Sequence, residues 1–147
     1  MKVKEIIPGL WLGDKDISMN KQFFKDNDIN IVINCSKDLP FINLDIEKVR
    51  LKIHDNLENE EIINMYNNLN YITKYINDNL LLCRNILVHC YAGKQRSATI
   101  IAAYLLLYGR MKLEMVIDLI KCKKSDVFTP TTNFISSLKL FSKDITI

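Results

Sequence analysis

The chain has 147 residues, 48% of them hydrophobic and 25% charged, with 20 Lys and Arg against 17 Asp and Glu for a net charge of +3. That length makes a single domain over residues 1–147 with a core of its own the expectation, with no room for a second, and the composition does not argue for disorder. So small a positive excess argues against a protein that coats nucleic acid, and any anion site has to be built locally.

The amino-terminal Met1-Lys2-Val3-Lys4-Glu5 carries no apolar signal-peptide region, so a cytoplasmic location is expected. Short apolar runs at Leu10-Trp11-Leu12, 29–34, 49–53 and 86–88 read as strands. Between the last two, Ile62, Tyr66, Leu69, Ile72, Ile76 and Leu80 recur at helical steps of three and four, one face of an amphipathic helix. Residues 98–107 are apolar on nearly every side, which predicts a helix buried at the centre of the domain and capped by Gly109. This run is too short for a membrane helix, which needs roughly 18 apolar residues. A further helix from 112 to about 121 is expected to bury Leu113, Val116, Ile117 and Ile120, with Met111 and Met115 as core filler and Lys121, Lys123 and Lys124 as a solvated helix end. Thr129-Pro130 reads as a hydroxyl N-cap followed by proline in the first helical position, with Phe134, Leu138 and Phe141 on the face of a last helix. Strands and helices interleave without a repeat or linker. The fold class is therefore α/β, with a central mixed, mostly parallel sheet and helices on both sides.

Four cysteines, Cys35, Cys83, Cys90 and Cys122, with no CxxC pair and only two histidines, fit neither a disulfide scaffold nor a zinc site, and no metal or other cofactor is expected. The chemistry is concentrated in Val88-His89-Cys90-Tyr91-Ala92-Gly93-Lys94-Gln95-Arg96-Ser97, where a strand ends, the chain turns, and the central helix begins. The backbone N–H groups of Tyr91, Ala92, Gly93, Lys94, Gln95 and Arg96 in such a turn, together with the helix dipole, form a concavity for a tetrahedral anion. A Cys90 thiol facing it is expected as the reactive thiolate, and the planar fork of Arg96 suits two phosphate oxygens. Gly93 lets the backbone approach closely, and the Ser97 hydroxyl is placed to donate to the Cys90 sulfur and steady it as a leaving group.

This stretch resembles the His-Cys-x5-Arg-Ser/Thr signature of the cysteine-dependent protein tyrosine phosphatase superfamily, and its His-Cys-x-Ala-Gly-x-x-Arg-Ser form is similar to the dual-specificity branch. The resemblance extends over most of the chain. Residues 7–13 resemble the family's opening strand pair, 31–36 its next strand, and 130–141 its closing helix. Three positions depart from the pattern: Thr131 replaces a usual asparagine, Ser125 an arginine, and Gln95 a smaller residue before the arginine.

The resemblance implies a phosphomonoester hydrolase acting on phosphotyrosine and on phosphoserine or phosphothreonine through a cysteinyl-phosphate intermediate, with phosphorylated proteins as partners and a monomer as the default. It also implies a general acid on a loop upstream of the cysteine, for which Asp55 is chosen over Glu58, Glu60 and Glu61; a turn or helix-cap role for Asp55 is the alternative. His89 is implied as a brace for the loop, and His54 as a surface residue. Cys35 is either a small buried hydrophobe or a resolving partner for an oxidised Cys90. Other readings of the same scaffold are a phosphoinositide or phosphatidylglycerophosphate phosphatase, suggested by Lys94 beside Arg96, an RNA 5′-phosphatase, and an inert phosphate-binding module.

Overall fold

The side chains of Ile31, Ile33, Ile86 and Val88 belong to one buried cluster, whereas Val32 and Leu87, between them in sequence, belong to a second. Two adjacent strands thus alternate between two covered faces, as a sheet buried on both sides requires. The computed structural model describes residues 2–145; Met1, Thr146 and Ile147, counted in the domain expected over 1–147, lie outside the described residues.

In chain order the elements are β1 (Val3–Ile7), β2 (Leu10–Gly13), α1 (Lys21–Asp26), β3 (Ile29–Asn34), β4 (Glu47–Arg50), α2 (Asn59–Leu81), β5 (Asn85–His89), α3 (Arg96–Leu107), α4 (Leu113–Lys123) and α5 (Ile135–Ile145). The sheet runs β1-β2-β5-β3-β4; the β1/β2 pair is antiparallel and the other pairs are parallel, the mixed, mostly parallel sheet expected. Phe23 and Phe24 of α1 cover one face, and the apolar sides of α2 to α5 cover the other. Helix α3 is buried from Ser97 to Leu106 and packs against α2, α4 and α5, the central position its sequence predicts. The interleaved pattern produces the α/β architecture expected, with helices on both sides of the sheet.

Several elements differ from the expectation, each for a tertiary reason. Strand β4 covers Glu47–Arg50 rather than 49–53. The Leu51 N–H still reaches Asn34 O at 2.9 Å, but the Ile53 carbonyl is taken by Arg96 Nη1 at 2.9 Å, which draws that end of the run toward the β5–α3 turn. Helix α1 was not anticipated, because its apolar content is one adjacent pair, Phe23 and Phe24; Asn20 caps it by accepting from Phe23 N–H at 3.0 Å.

The left-handed residue beyond α3 is Arg110 (φ 52°), not Gly109. Gly109 is required instead because a Cβ there would lie 2.6 Å from Leu105 O. Pro130 does not open the last helix: it follows a cis peptide bond, and α5 begins at Ile135. Met115 is exposed rather than core filler, and Lys124 is fully buried rather than solvated.

Candidate active site

Residues 90–95 leave β5 at the carboxyl ends of three adjacent parallel strands, with Gly13 of β2 and Asn34 of β3 both in register with His89. This is the edge of a parallel sheet where α/β proteins place their ligands. Three carbonyls of the loop are held from outside it. Tyr91 O accepts from Lys15 N–H at 3.0 Å, Gly93 O from Lys124 Nζ at 3.0 Å, and Lys94 O from Phe128 N–H at 2.8 Å.

In a planar trans peptide the N–H points opposite to the C=O. Turning these carbonyls outward therefore turns the N–H groups of Ala92, Lys94 and Gln95 inward. They face a cleft of about 330 Å³ lined by Asp55, Cys90, Tyr91, Ala92, Lys94, Gln95, Arg96, Thr129 and Asn133. Gly93 has φ 70°, and a Cβ on it would lie 2.8 Å from Gly13 O, so the turn admits no side chain at that point.

Cys90 lies at the floor of the cleft, 2% exposed, with its Sγ 3.1 Å from Ser97 Oγ. Arg96 is anchored through Nη1 on Ile53 O, while its Nε is buried with no acceptor among the described residues. A buried N–H without a partner is costly, and an anion seated in the cleft would satisfy it. Tyr91 stands exposed at the mouth, with the Lys15 ammonium 5.2 Å above its ring, and Lys94 is half-buried on the cleft wall.

Asp55 sits on the opposite rim, on an exposed segment between β4 and α2, and its Oδ1 accepts from Asn133 Nδ2 at 2.9 Å. The structure therefore brings Cys90, Arg96, Ser97, Asp55 and the loop together around one cleft. Glu61 is engaged elsewhere, accepting from Asn64 Nδ2 (3.0 Å), His54 N–H (3.1 Å) and Lys37 Nζ (3.2 Å). The Asn64 bond, followed by those from His54 and Lys37, holds its carboxyl below the ordinary range against the opposing effect of burial. An ionised Glu61 bracing the backbone beside Asp55 is a poor proton donor. Glu58 and Glu60 open α2 and do not line the cleft.

His89 is fully buried, and its Nδ1 lies 3.3 Å from Cys90 O; a carbonyl only accepts, so Nδ1 carries the hydrogen. Burial pushes its pKa down to about 4, so the ring is neutral near pH 7 and braces the turn without charge. His54 is exposed. Cys35 is buried one residue beyond β3, its N–H donating to His89 O at 2.8 Å, which places it beside Cys90 at the ends of neighbouring strands. Burial, with Cys90 adding and Arg96 opposing, pushes its thiol well above the ordinary value.

Sequence reasoning missed two residues of this site. Lys124, next to the Ser125 that replaces an arginine, supplies the buried cation on Gly93 O, and Asp126 Oδ1 pairs with it at 2.7 Å. Asn133, two places beyond the departing Thr131, reaches Asp55. Within the lysine run the only signal was the loss of the expected arginine nearby.

A family model described as the dual specificity phosphatase catalytic domain matches residues 10–144. Among curated proteins, the chain is 28% identical over 140 residues to the MAP kinase phosphatase with leucine-rich repeats protein 1 of Dictyostelium discoideum, covering 95% of this chain and 16% of that protein. The chain thus spans about a sixth of that relative's length. Among solved structures, human DUSP28 superposes with a TM-score of 0.87 at 17% identity, covering 99% of this chain and 95% of that one. The structure of PTPMT1 in complex with PI(5)P superposes with a TM-score of 0.81 at 23% identity, covering 99% and 97%. The family model spans nearly the whole chain and includes the signature at residues 89–97, and the chain belongs to the dual specificity phosphatase catalytic-domain family.

Proposed function

We propose that residues 1–147 act as one catalytic domain that hydrolyses phosphomonoesters of proteins, at phosphotyrosine and at phosphoserine or phosphothreonine, through a cysteinyl-phosphate. The observation that carries this reading is the Cys90 sulfur on the cleft floor, 3.1 Å from the Ser97 hydroxyl, beneath inward-facing loop amides and across from Asp55. In the first step the Cys90 thiolate forms a bond to phosphorus as the bond to the leaving oxygen breaks. The loop amides and the Arg96 fork hold the three equatorial oxygens, and Asp55 gives its proton to the departing oxygen. In the second, the Asp55 carboxylate takes a proton from water as the water oxygen bonds to phosphorus. The S–P electron pair returns to sulfur, where the Ser97 hydroxyl stabilises it, and inorganic phosphate leaves.

A second reading has one observation in its favour. Lys94 places another cation on the cleft wall next to Arg96, which suits a substrate with more than one phosphate, and the PTPMT1 neighbour was solved with a phosphoinositide. Among the described residues no helix is long and apolar enough to cross a membrane. Side-by-side kinetics on phosphotyrosine and phosphothreonine peptides, soluble phosphoinositides and triphosphate-ended RNA separate these readings. Faster turnover of the phosphopeptides is expected, and preference for the inositide reverses the assignment. Cys90→Ser is expected to abolish turnover while retaining phosphate binding, and Arg96→Lys to lose on the order of 100-fold or more, because a point charge cannot reproduce the fork. Turnover by the serine variant rules the covalent route out.

A further inference from the structure

We propose that Asn133 is a positioning residue that selects the Asp55 oxygen used for proton transfer, and that Gln95 ties this selection to the phosphate loop. The inference rests on the reading of Asp55 as the general acid. Gln95, 6% exposed, spends its whole side-chain amide on one segment: Nε2 donates to Thr129 O (3.2 Å) and Thr131 O (2.6 Å), and Oε1 accepts from Asn133 N–H (3.0 Å). The backbone from 129 to 133 is therefore fastened to the residue immediately before Arg96. Behind it, Phe134, Leu138 and Phe141 are buried at 2% exposure or less, so the segment is held on its other side by the core.

The Asn133 amide is oriented from both ends. Thr131 Oγ1 lies 2.6 Å from Asn133 Oδ1 and donates to it, so the nitrogen is the end turned toward Asp55. A carboxylate oxygen only accepts, which requires the same orientation. Asn133 Nδ2 then occupies Asp55 Oδ1 at 2.9 Å. An oxygen accepting an amide hydrogen is poorly placed to carry a proton of its own. Oδ2 is left as the atom that holds the proton in the first step and accepts one from water in the second. Without the amide, Asp55 on its exposed segment rotates freely, and either oxygen, or neither, meets the leaving group.

The departures at Thr131 and Gln95 acquire a purpose in this arrangement. Thr131 orients the amide, and Gln95 is long enough to span three backbone groups.

The test compares Asn133→Ala with Asp55→Asn and with the double variant, on an alkyl phosphate and on an activated aryl phosphate that needs little protonation. Asn133→Ala is expected to lower kcat on the alkyl phosphate by about 10-fold, with a much smaller loss on the aryl phosphate and KM little changed on both. In the Asp55→Asn background it should add no more than about 2-fold, because the residue acts only through that carboxylate. Gln95→Ala should show the same selectivity, with a loss of phosphate affinity in addition. Equal losses on the two substrates, no loss on either, or a full further loss on top of Asp55→Asn each overturn the inference. If Asp55→Asn itself treats both substrates alike, the assignment of the acid falls, and this inference falls with it. Selective loss in Asp55→Asn without selective loss in Asn133→Ala removes this inference alone.

Discussion

The Cys90 Sγ and Ser97 Oγ atoms lie 3.1 Å apart, the first at the end of the central strand and the second in the opening turn of helix α3. Both are buried, so the hydroxyl is not competing with water for the sulfur. In the proposed mechanism its value is greatest where charge is greatest, when the thiolate leaves phosphorus in the second step. Ser97→Ala is expected to slow breakdown of the cysteinyl-phosphate by roughly 10- to 100-fold, the worth of a hydrogen bond to a charged group, while its formation slows much less. Rapid-mixing kinetics on an aryl phosphate should show a burst of product followed by slow turnover. Slowing of both phases together contradicts the assignment.

At Lys124 a side chain governs a backbone orientation. Its ammonium, entirely buried, holds Gly93 O at 3.0 Å and so keeps the Lys94 N–H turned into the cleft. Lys124→Met keeps the stem but leaves that carbonyl unpaired, at a cost of about 2 kcal/mol. The melting temperature should fall by several degrees, and inorganic phosphate should inhibit more weakly than in the native chain. An unchanged phosphate affinity at a lowered melting temperature limits Lys124 to a packing role.

His89 makes stability depend on pH in a definite direction. Burial lowers its pKa from 6.5 unfolded to about 4 folded, so between those values the unfolded chain binds a proton that the folded chain refuses. The stability it supports is complete above pH 6.5 and is lost as pH falls toward 4, by up to about 3 kcal/mol. Melting curves from pH 7 to 4.5 should decline more steeply for the native chain than for His89→Asn. Parallel curves count against it.

Oxidation decides between the two readings of Cys35, a small buried hydrophobe or a resolving partner for Cys90, and we propose the second. In this route peroxide oxidises the Cys90 sulfur to a sulfenic acid; the Cys35 sulfur then bonds to it as the S–O bond breaks, the hydroxide leaves as water with the Cys35 proton, and a disulfide forms. Burial keeps the Cys35 thiol protonated, so it is not the first to be oxidised, and its position beside Cys90 suits it to the second step. Peptide mapping after mild peroxide should find a Cys35–Cys90 link that thiols reverse, and Cys35→Ser should lose that recovery. A sulfinic Cys90 with Cys35 untouched rules the pairing out.

What the sequence discloses divides along the range of the interactions involved. Ile31, Ile33, Ile86 and Val88 mark their strands because a sheet face enforces a period of two, and the α2 and α3 patterns follow in the same way from helical periodicity. Cys90 and Arg96 are equally legible, since both lie in one continuous stretch between β5 and the first turn of α3. The segment from 129 to 133 was misread as a helix start because its hydrogen bonds go to Gln95, more than thirty residues away, and local capping rules see only neighbours. Arg96 shortened β4 in the same manner. Lys124 sits among lysines that do face water, and only the packed fold distinguishes it.

The three outward carbonyls of the 90–95 loop are gripped by groups from separate stretches: Lys15 N–H after β2, and Lys124 Nζ and Phe128 N–H after α4. None of these belongs to the loop or to the strand and helix on either side of it. The anion cradle is thus a property of the closed tertiary structure and comes into being only when both halves of the chain have docked. Phosphate binding is accordingly a readout of complete folding: a partly folded chain, even with β5 and α3 formed, has these amides free to turn and holds phosphate weakly. Substitutions far from the cleft that loosen either gripping stretch will resemble active-site lesions in an assay, while the sequence from His89 to Ser97 is intact.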